Sequence, residues 1–334
     1  MRGLFLLKQY IGIDIGGTKI AVLLGSVSEK EEIKVLEKER LSTSKDCLQP
    51  NLDRITQAID SLLLKKDLKP SQVSGIGISC GGPLDVAKGI IQSPPNLPLW
   101  KDVAICQILE QRFGIPARLQ NDANACALAE WKFGAGRGTR NMMFITFGTG
   151  FGAGLILDGR LYSGTNGNAG EIGHIRLADY GPSGYGKVGS YEGFCSGAGI
   201  AQIGQTLVRE ALQNGQPVSF CPNEMAVPQL DAKVIGDAAD AGDILAQKIY
   251  QVSGHYLGIG LAIMIDTLNP EAIVIGSIFA RSQQWLWPSA KEVIEREALP
   301  GARKVCNVLP AALGESIGDI AAIAVAYSGT EQAV

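Results

Sequence analysis

The chain has 334 residues, of which 46% are hydrophobic and 19% charged, and its formal net charge is −3. This length exceeds one ordinary hydrophobic core and suits two α/β domains. The composition is that of a globular protein without long disordered tails, and the small negative charge argues against binding to nucleic acid. The seven cysteines are widely spaced and contain no Cys-x-x-Cys pair, a pattern typical of reduced thiols.

The only apolar run near the N-terminus, Leu4–Leu7, is followed at once by Lys8 and Gln9. It is too short for the core of a signal peptide, and no other stretch is long and apolar enough to span a bilayer. We therefore expect a cytoplasmic protein that contacts neither membrane nor nucleic acid.

Residues 10–24 predict a β-hairpin with a glycine-rich turn. Isoleucines alternate with other residues in its first strand, a period of two that places Asp14 on the face opposite the isoleucines. Gly16 and Gly17 lack a Cβ and let backbone N–H groups approach an anion, and Thr18 adds a hydroxyl donor. Asp14 could hold the magnesium that accompanies nucleotide phosphates. Taken alone, the segment could equally be an ordinary hairpin.

The next patterns alternate between strands and helices. Glycines follow the second strand of this series, at the carboxyl end where α/β sheets place ligands. The predicted elements are a strand at 33–36, a helix at 52–65, a strand at 73–79, an extended crossing at 93–100, a helix at 103–113, a strand at 116–120 and a helix at 123–133.

Residues 141–159 repeat the strand, glycine-rich turn and strand of the first hairpin. Neither hairpin contains a P-loop or a dinucleotide-binding fingerprint. The remaining patterns predict an irregular functional loop at 159–199, a long helix at 245–263, a buried strand at 273–277 and a closing helix at 311–328 that returns to the first domain.

Two such hairpins on two α/β halves resemble the superfamily of sugar kinases, actin and heat-shock ATPases. The resemblance implies two ribonuclease H-like lobes with a cleft between them. We expect an N-terminal lobe at 1–120 with a returning helix at 315–334, and a C-terminal lobe at 121–314.

Asp122 stands between a predicted strand and a predicted helix, where an aspartate is often only a helix cap. It could instead be a general base that accepts the proton of a substrate hydroxyl. Glu171, His174 and Glu192 lie in the glycine-rich loop and could hydrogen-bond the hydroxyls of a sugar, although such side chains are often merely solvated.

Five motifs together resemble the ROK family (repressors, open reading frames and sugar kinases). They are 14–19, 121–124, 148–154, 170–174 and 273–276. The resemblance implies an ATP- and magnesium-dependent kinase that phosphorylates the 6-hydroxyl of a hexose, with glucose as the default, and that forms a homodimer.

The resemblance also implies a role for each matching residue. ATP phosphates and magnesium would face Asp14, Gly16, Gly17, Thr18, Lys19, Thr149 and Gly150, and Gly276 would border the adenosine. The hexose would contact Gly82, Asn96, Asn121, Asp122, Glu171, His174 and Glu192, with Asp122 as the base toward the 6-hydroxyl.

The chain departs from the family pattern at two places. The positions of three zinc-binding cysteines hold Ser183, Tyr185 and Ser190, so we expect no zinc site. A glycine that usually follows Gly276 is replaced by Ser277. Bulk from tyrosines 185 and 191 could close the sugar pocket at C2 or stack against an acetamide.

Several functions therefore stay open. The substrate could be an N-acetylhexosamine or fructose instead of glucose. The chain could also be a sugar-binding regulator without activity, although a ROK repressor carries a helix-turn-helix before the first hairpin and only about a dozen residues precede it here.

Overall fold

The structure is a computed structural model, which describes residues 7–44 and 46–331. Residues 4–6 of the N-terminal apolar run and residues 332–334 of the expected returning helix lie outside the described residues.

The strands, in chain order, are β1 (Lys8–Ile15), β2 (Lys19–Val27), β3 (Ile33–Ser42), β4 (Val73–Cys80), β5 (Leu84–Asp85), β6 (Ile90–Ile91), β7 (Ala117–Asn121), β8 (Met142–Phe147), β9 (Phe151–Leu157), β10 (Arg160–Tyr162), β11 (Ser183–Gly184), β12 (Lys187–Val188), β13 (Ala272–Ile275) and β14 (Asn307–Pro310).

The α-helices are α1 (Gln49–Lys65), α2 (Ile105–Phe113), α3 (Asp122–Phe133), α4 (Tyr191–Phe194), α5 (Gly197–Gln213), α6 (Ala232–Asp240), α7 (Ile244–Leu268), α8 (Ile278–Glu297), α9 (Pro300–Val305) and α10 (Ile317–Glu331). Short 3₁₀ helices lie at Pro70–Gln72, Ile172–His174, Glu224–Gln229 and Gly314–Ser316.

The first sheet has the strand order β3-β2-β1-β4-β7. β1 pairs antiparallel with β2 and parallel with β4, and β4 pairs parallel with β7. The predicted hairpin at 10–24 is thereby confirmed. The isoleucines of β1 are buried in one core with residues of α1 and α2, whereas Asp14 lies on the other face, as the period of two predicted.

Helix α10 covers that other face of the first sheet. It packs against β1, β4 and α3, and Ile323 lies in a small core with Tyr10 and Leu23. Close approach requires small residues on the strands: a Cβ at Gly77 would overlap the backbone of Ala322. Helix α10 thus packs on the first sheet, where the sequence placed a returning helix.

The second sheet has the order β10-β9-β8-β13-β14. β13 pairs parallel with both β8 and β14, while β10 pairs antiparallel with β9. The long helix predicted in this half is α7, which ends at Asn269 in the left-handed conformation, a common helix stop. Among the described residues, no helix is long and apolar enough to cross a membrane.

The chain divides into two compact units. The first unit comprises 1–138, 154–169 and 312–334, and the second comprises 139–153 and 170–311. This division differs from the predicted lobes, whose boundary at 120/121 falls at the end of β7, just before α3 and inside the first unit. Helix α3 belongs there because it packs against α10, which itself lies on the first sheet.

The segment 159–199, expected to be irregular, contains short regular elements. They are strand β10, the hairpin β11–β12, a 3₁₀ turn, helix α4 and the start of α5. Close packing explains some of its glycines. At Gly173, for example, a Cβ would overlap the carbonyl oxygen of Phe151 on β9. The loop is therefore a packed structure.

Candidate active site

In the first unit, three parallel strands end side by side. The pairing of β1, β4 and β7 aligns Ile15 with Cys80 and Cys80 with Asn121. A Cβ at Gly82 would lie 3.8 Å from Nδ2 of Asn121. The structure thus brings Asp14, Gly82, Asn121 and Asp122 to the same edge of one sheet, where α/β proteins place ligands.

The glycine turn between β1 and β2 lies at this edge as well. The Gly16 N–H donates to the carbonyl of Lys19 at 3.0 Å, and the Thr43 hydroxyl donates to the Gly16 carbonyl at 2.7 Å. Asn96 lies directly against the turn, because a Cβ at Gly17 would come 2.7 Å from the Asn96 carbonyl oxygen. Thr18 and Lys19 are exposed at the tip of the turn.

Asp14 carries the clearest electrostatic signature of this edge. Burial, together with the negative charges of Asp122 and Asp319, raises its pKa from 3.8 to about 6, against the opposing effect of Lys19 and Lys38. A carboxylate that like charges destabilise favours the binding of a cation, which restores its charged form. This is the behaviour expected of a group that meets magnesium.

Asp319 and Lys38 lie near Asp14, and neither was predicted from the sequence to do so. Asp319 lies in the first turn of α10 and forms an ion pair with Lys38 of β3 at 2.5 Å. A Cβ at the adjacent Gly318 would come 3.4 Å from an Asp14 oxygen. The acidic residue at the start of a predicted helix was visible, but its approach to Asp14 depends on how α10 crosses the sheet.

Asp122 is not the helix cap that the simpler interpretation required. The N-cap of α3 is Asn121, whose side chain accepts from the Ala123 N–H at 3.0 Å. Asp122 is the first helical residue, and it accepts from the same N–H at 2.8 Å. The Asp122 side chain is accessible to solvent, but the protein around it still displaces part of its hydration, and this desolvation raises its pKa. The hydrogen bond from the Ala123 N–H acts in the other direction and lowers the pKa.

In the second unit, the turn after β8 lies beside the end of β13. A Cβ at Gly148 would come 3.7 Å from the Ser277 hydroxyl, and the Gly276 N–H donates to the carbonyl of Ile145. Thr149 and Gly150 are exposed at the tip of this turn. Ser277 has φ 54°, a conformation that L-residues rarely adopt, so the glycine expected there would be unstrained.

The Glu192 carboxylate contacts this turn. Its Oε2 accepts the Phe151 N–H at 3.0 Å, and a Cβ at Gly150 would lie 3.2 Å from the same oxygen. The expected sugar contact is therefore also a support of the expected phosphate turn.

The predicted sugar residues of the second unit line one cavity. The cavity has a volume of about 270 Å³ and is lined by Phe151, Glu171, Gly173, His174, Tyr185 and Glu192. Glu171 and His174 are exposed at its surface, at the two ends of a single 3₁₀ turn. Carboxylate and imidazole groups in a cavity of this size can hydrogen-bond the hydroxyls of a small polyol. Phe151 was missed because its strand pattern indicated only core.

Known proteins resemble this chain over most of its length. The ROK family profile matches residues 10–328. The chain belongs to the ROK family. The glucokinase of Halalkalibacterium halodurans is 33% identical, covering 94% of this chain and 93% of its own. The transcriptional repressor Mlc of Escherichia coli K12 is 31% identical, covering 87% of this chain and 69% of Mlc.

A ROK family glucokinase from Streptomyces griseus, in a crystal structure with glucose and AMPPNP, superposes with a TM-score of 0.72. It is 28% identical and covers 97% of this chain and 100% of its own. The predicted α/β fold class of the actin-like superfamily is confirmed by this likeness. The relatives of this ROK protein thus include both sugar kinases and regulators.

The ROK zinc site does not fit this chain. The resemblance assigns zinc to His174 and to the three cysteine positions, and of these four only His174 holds a metal ligand. The described residues contain no group of three histidine, cysteine or acidic side chains that could hold a metal ion. A tetrahedral zinc site cannot be built from one imidazole and hydroxyl groups.

Hydrogen bonds hold the loop of this ROK protein instead. Gln202 of α5 binds both backbone groups of Ser183, accepting from its N–H and donating to its carbonyl, each at 2.9 Å. Ser190 caps α4 by accepting from the Gly193 N–H at 3.1 Å. The Lys187 ammonium donates to the His174 carbonyl at 2.6 Å. Together these contacts join the β11–β12 hairpin to its neighbours without a metal.

The turn between β1 and β2 fits the phosphates and magnesium of a bound nucleotide. A side chain at Gly17 would collide with Asn96, Thr18 and Lys19 are exposed at the tip of the turn, and the Asp14 carboxylate lies near the acidic groups of Asp122 and Asp319. Magnesium usually keeps several waters and takes only one or two carboxylates beside the phosphates, so Asp14 is the residue that would hold it.

Proposed function

We propose that this ROK protein is an ATP-dependent hexose kinase that phosphorylates the 6-hydroxyl of a hexose, with glucose as the default substrate. The observation that supports this most is the juxtaposition of Asp122, Asp14 and the Gly16–Gly17 turn at one sheet edge. A base, a magnesium ligand and a phosphate turn are the parts that phosphoryl transfer to an alcohol requires. The kinases among its relatives agree with this assignment.

Each residue of the first unit would have a distinct task. Asp122 would accept the proton of the attacking 6-hydroxyl. Asn121 would cap helix α3 and also hydrogen-bond the sugar. Asp14 would hold magnesium, directly or through water. The backbone N–H groups at the tip of the Gly16–Gly17 turn would face phosphate oxygens, apart from that of Gly16, which donates to the Lys19 carbonyl. When bound, ATP with magnesium supplies the phosphoryl group. A weak base suffices, because positioning and charge neutralisation carry most of this reaction.

In the second unit, Thr149 and Gly150 would contact phosphates and Gly276 would border the adenosine. Glu171 and His174 would hydrogen-bond sugar hydroxyls, while Glu192 would support both the sugar and the turn that contains Gly150. The homodimer and the cytoplasmic location stay predictions.

A kinase assay over a sugar panel tests this proposal. ADP formation would be measured with glucose, mannose, fructose, N-acetylglucosamine and N-acetylmannosamine, and the product would be identified as the 6-phosphate by NMR. We expect turnover of glucose that depends on both ATP and magnesium. An acetamido sugar with the highest kcat/KM would overturn the glucose assignment.

The second candidate is a sugar-binding regulator without activity, which the similarity to Mlc favours. Calorimetric titration with the same sugars separates the two functions. Glucose binding without ADP formation supports the regulator, and the retained Asp14 and Asp122 argue against it.

A further inference from the structure

The tip of the β11–β12 hairpin has a conformation that its sequence does not favour. β11 pairs Ser183 with Val188 and Gly184 with Lys187, so Tyr185 and Gly186 form a two-residue turn. Both have positive φ, 45° for Tyr185 and 75° for Gly186, as in a type I′ turn. Asparagine, aspartate or glycine suits the first turn position, and a tyrosine there is strained.

The side chain of Tyr185, whose backbone is strained, faces a cavity. Tyr185 lines the 270 Å³ cavity beside Glu171 and His174, and its ring lies edge-on to the His174 ring with centroids 6.4 Å apart at 75°. The side chain is nonetheless 83% exposed, so most of its aromatic surface is free of protein contact. Backbone strain at a ligand cavity is a reason to infer a functional role.

The backbone on both sides of Tyr185 is anchored. Gln202 holds Ser183 on one side, and the Lys187 ammonium holds the His174 carbonyl on the other. The hairpin that carries the ring is therefore joined to its neighbours by hydrogen bonds at Ser183 and Lys187.

The other tyrosine of this segment has a different role. Tyr191 is fully buried, packs against Phe151 with ring centroids 4.5 Å apart, and donates its hydroxyl to the Leu257 carbonyl at 3.0 Å. It supports the cavity from beneath and cannot touch a ligand. Of the two tyrosines considered from the sequence, only Tyr185 reaches the cavity.

We propose that Tyr185 is a specificity-determining residue whose ring packs against the C–H face of a pyranose with all-equatorial hydroxyls. Such a sugar presents axial hydrogens on both ring faces and offers aromatic rings a continuous apolar surface. An axial hydroxyl, as at C2 of mannose, interrupts that surface and would place a polar group against the ring. Glucose is then preferred over mannose. This inference rests on the proposed hexose site.

The test uses Tyr185→Asn and Tyr185→Phe, with Tyr180→Asn as the matched control. Tyr180 is 86% exposed on the same segment, but it lines a separate cavity with Phe194 and Tyr256. For each protein, calorimetry without ATP gives Kd for glucose and mannose, thermal unfolding gives Tm, and the assay above gives kcat/KM.

We expect Tyr185→Asn to weaken glucose binding about 3- to 10-fold, the range of one aromatic contact, and to weaken mannose binding less. Its Tm should stay equal or rise, because asparagine suits the turn. Tyr185→Phe should keep glucose affinity, and Tyr180→Asn should change neither affinity.

Unchanged glucose and mannose affinities in Tyr185→Asn would overturn the proposal, as would a fall in Tm that accompanies the loss of binding. Binding also separates this inference from the kinase proposal. If the wild-type protein binds glucose in a Tyr185-dependent manner but makes no ADP, the specificity role stands and the kinase assignment fails.

Discussion

Replacing Asp14 by asparagine is expected to stabilise the folded protein at neutral pH while it abolishes phosphoryl transfer. The folded-state pKa of Asp14 is about 6 and its ordinary value is 3.8, because burial and the charges of Asp122 and Asp319 oppose ionisation. Folding therefore becomes less favourable as the pH rises from about 4 through about 6, and the full penalty is present above that range. Asparagine has no charge and removes this penalty.

The size of the effect follows from the same shift. A difference of about two pKa units corresponds to about 3 kcal/mol, and solvent screening of the partly buried Asp14 reduces the expected gain to about 1–3 kcal/mol at pH 7.5. This gain already includes the repulsion of Asp14 by Asp122 and Asp319, which is one cause of the shift. At pH 4 the variant and the wild type should have nearly equal stability.

Urea unfolding at pH 4, 6 and 7.5, followed by tryptophan fluorescence, measures this difference. Asp60→Asn is the control, because Asp60 is an exposed partner of Arg112 and its loss should cost at most about 0.5 kcal/mol. Kinase activity of Asp14→Asn should fall by roughly 10²-fold or more, as expected when a magnesium ligand is lost. A stability difference that does not grow with pH, or a variant less stable than wild type at pH 7.5, would refute the electrostatic reasoning.

Three further outcomes are expected. Asp122→Asn should lower kcat by roughly 10²-fold or more while Tm and glucose Kd barely change, because Asn121 still caps α3; near wild-type kcat would exclude Asp122 as the base. Glu130→Ala should lower the free energy of unfolding by about 3 kcal/mol or more, since this buried carboxylate accepts three backbone N–H groups, among them that of Leu313. Glu130→Gln keeps the side-chain volume and one acceptor oxygen and should cost less; a Glu130→Ala cost under about 1 kcal/mol would contradict the role of these hydrogen bonds. Elemental analysis should find no stoichiometric zinc, and a chelator should leave Tm unchanged; one zinc per chain would mean that ligands other than His174 complete a site.

The sequence by itself determined the local elements and the family. The alternation in β1 predicted both the strand and the face of Asp14, and the spacing of apolar residues predicted α7. These patterns are readable because helix and strand periods act between residues close in the chain. Five motifs together carried the ROK resemblance, and each is readable because it lies within one short segment.

The tertiary structure decided what depends on contacts between distant segments. Asp319 reaches the surroundings of Asp14 because α10 crosses the first sheet on small residues, and Lys38 reaches them because β3 pairs with β2 in that sheet. The structure also decided that Asn121, and not Asp122, caps α3. The two candidates differ by one residue in the position of the helix start, which sequence patterns cannot resolve.

The clearest division concerns the loop at 159–199, which lacks the three zinc-binding cysteines of the family. Its sequence shows that zinc ligands are missing, but not that Gln202 replaces their structural role from another helix. Nor does it distinguish Tyr185, exposed at the cavity, from Tyr191, buried beneath it. Burial of a side chain depends on what packs against it, and those partners come from segments that no local pattern connects.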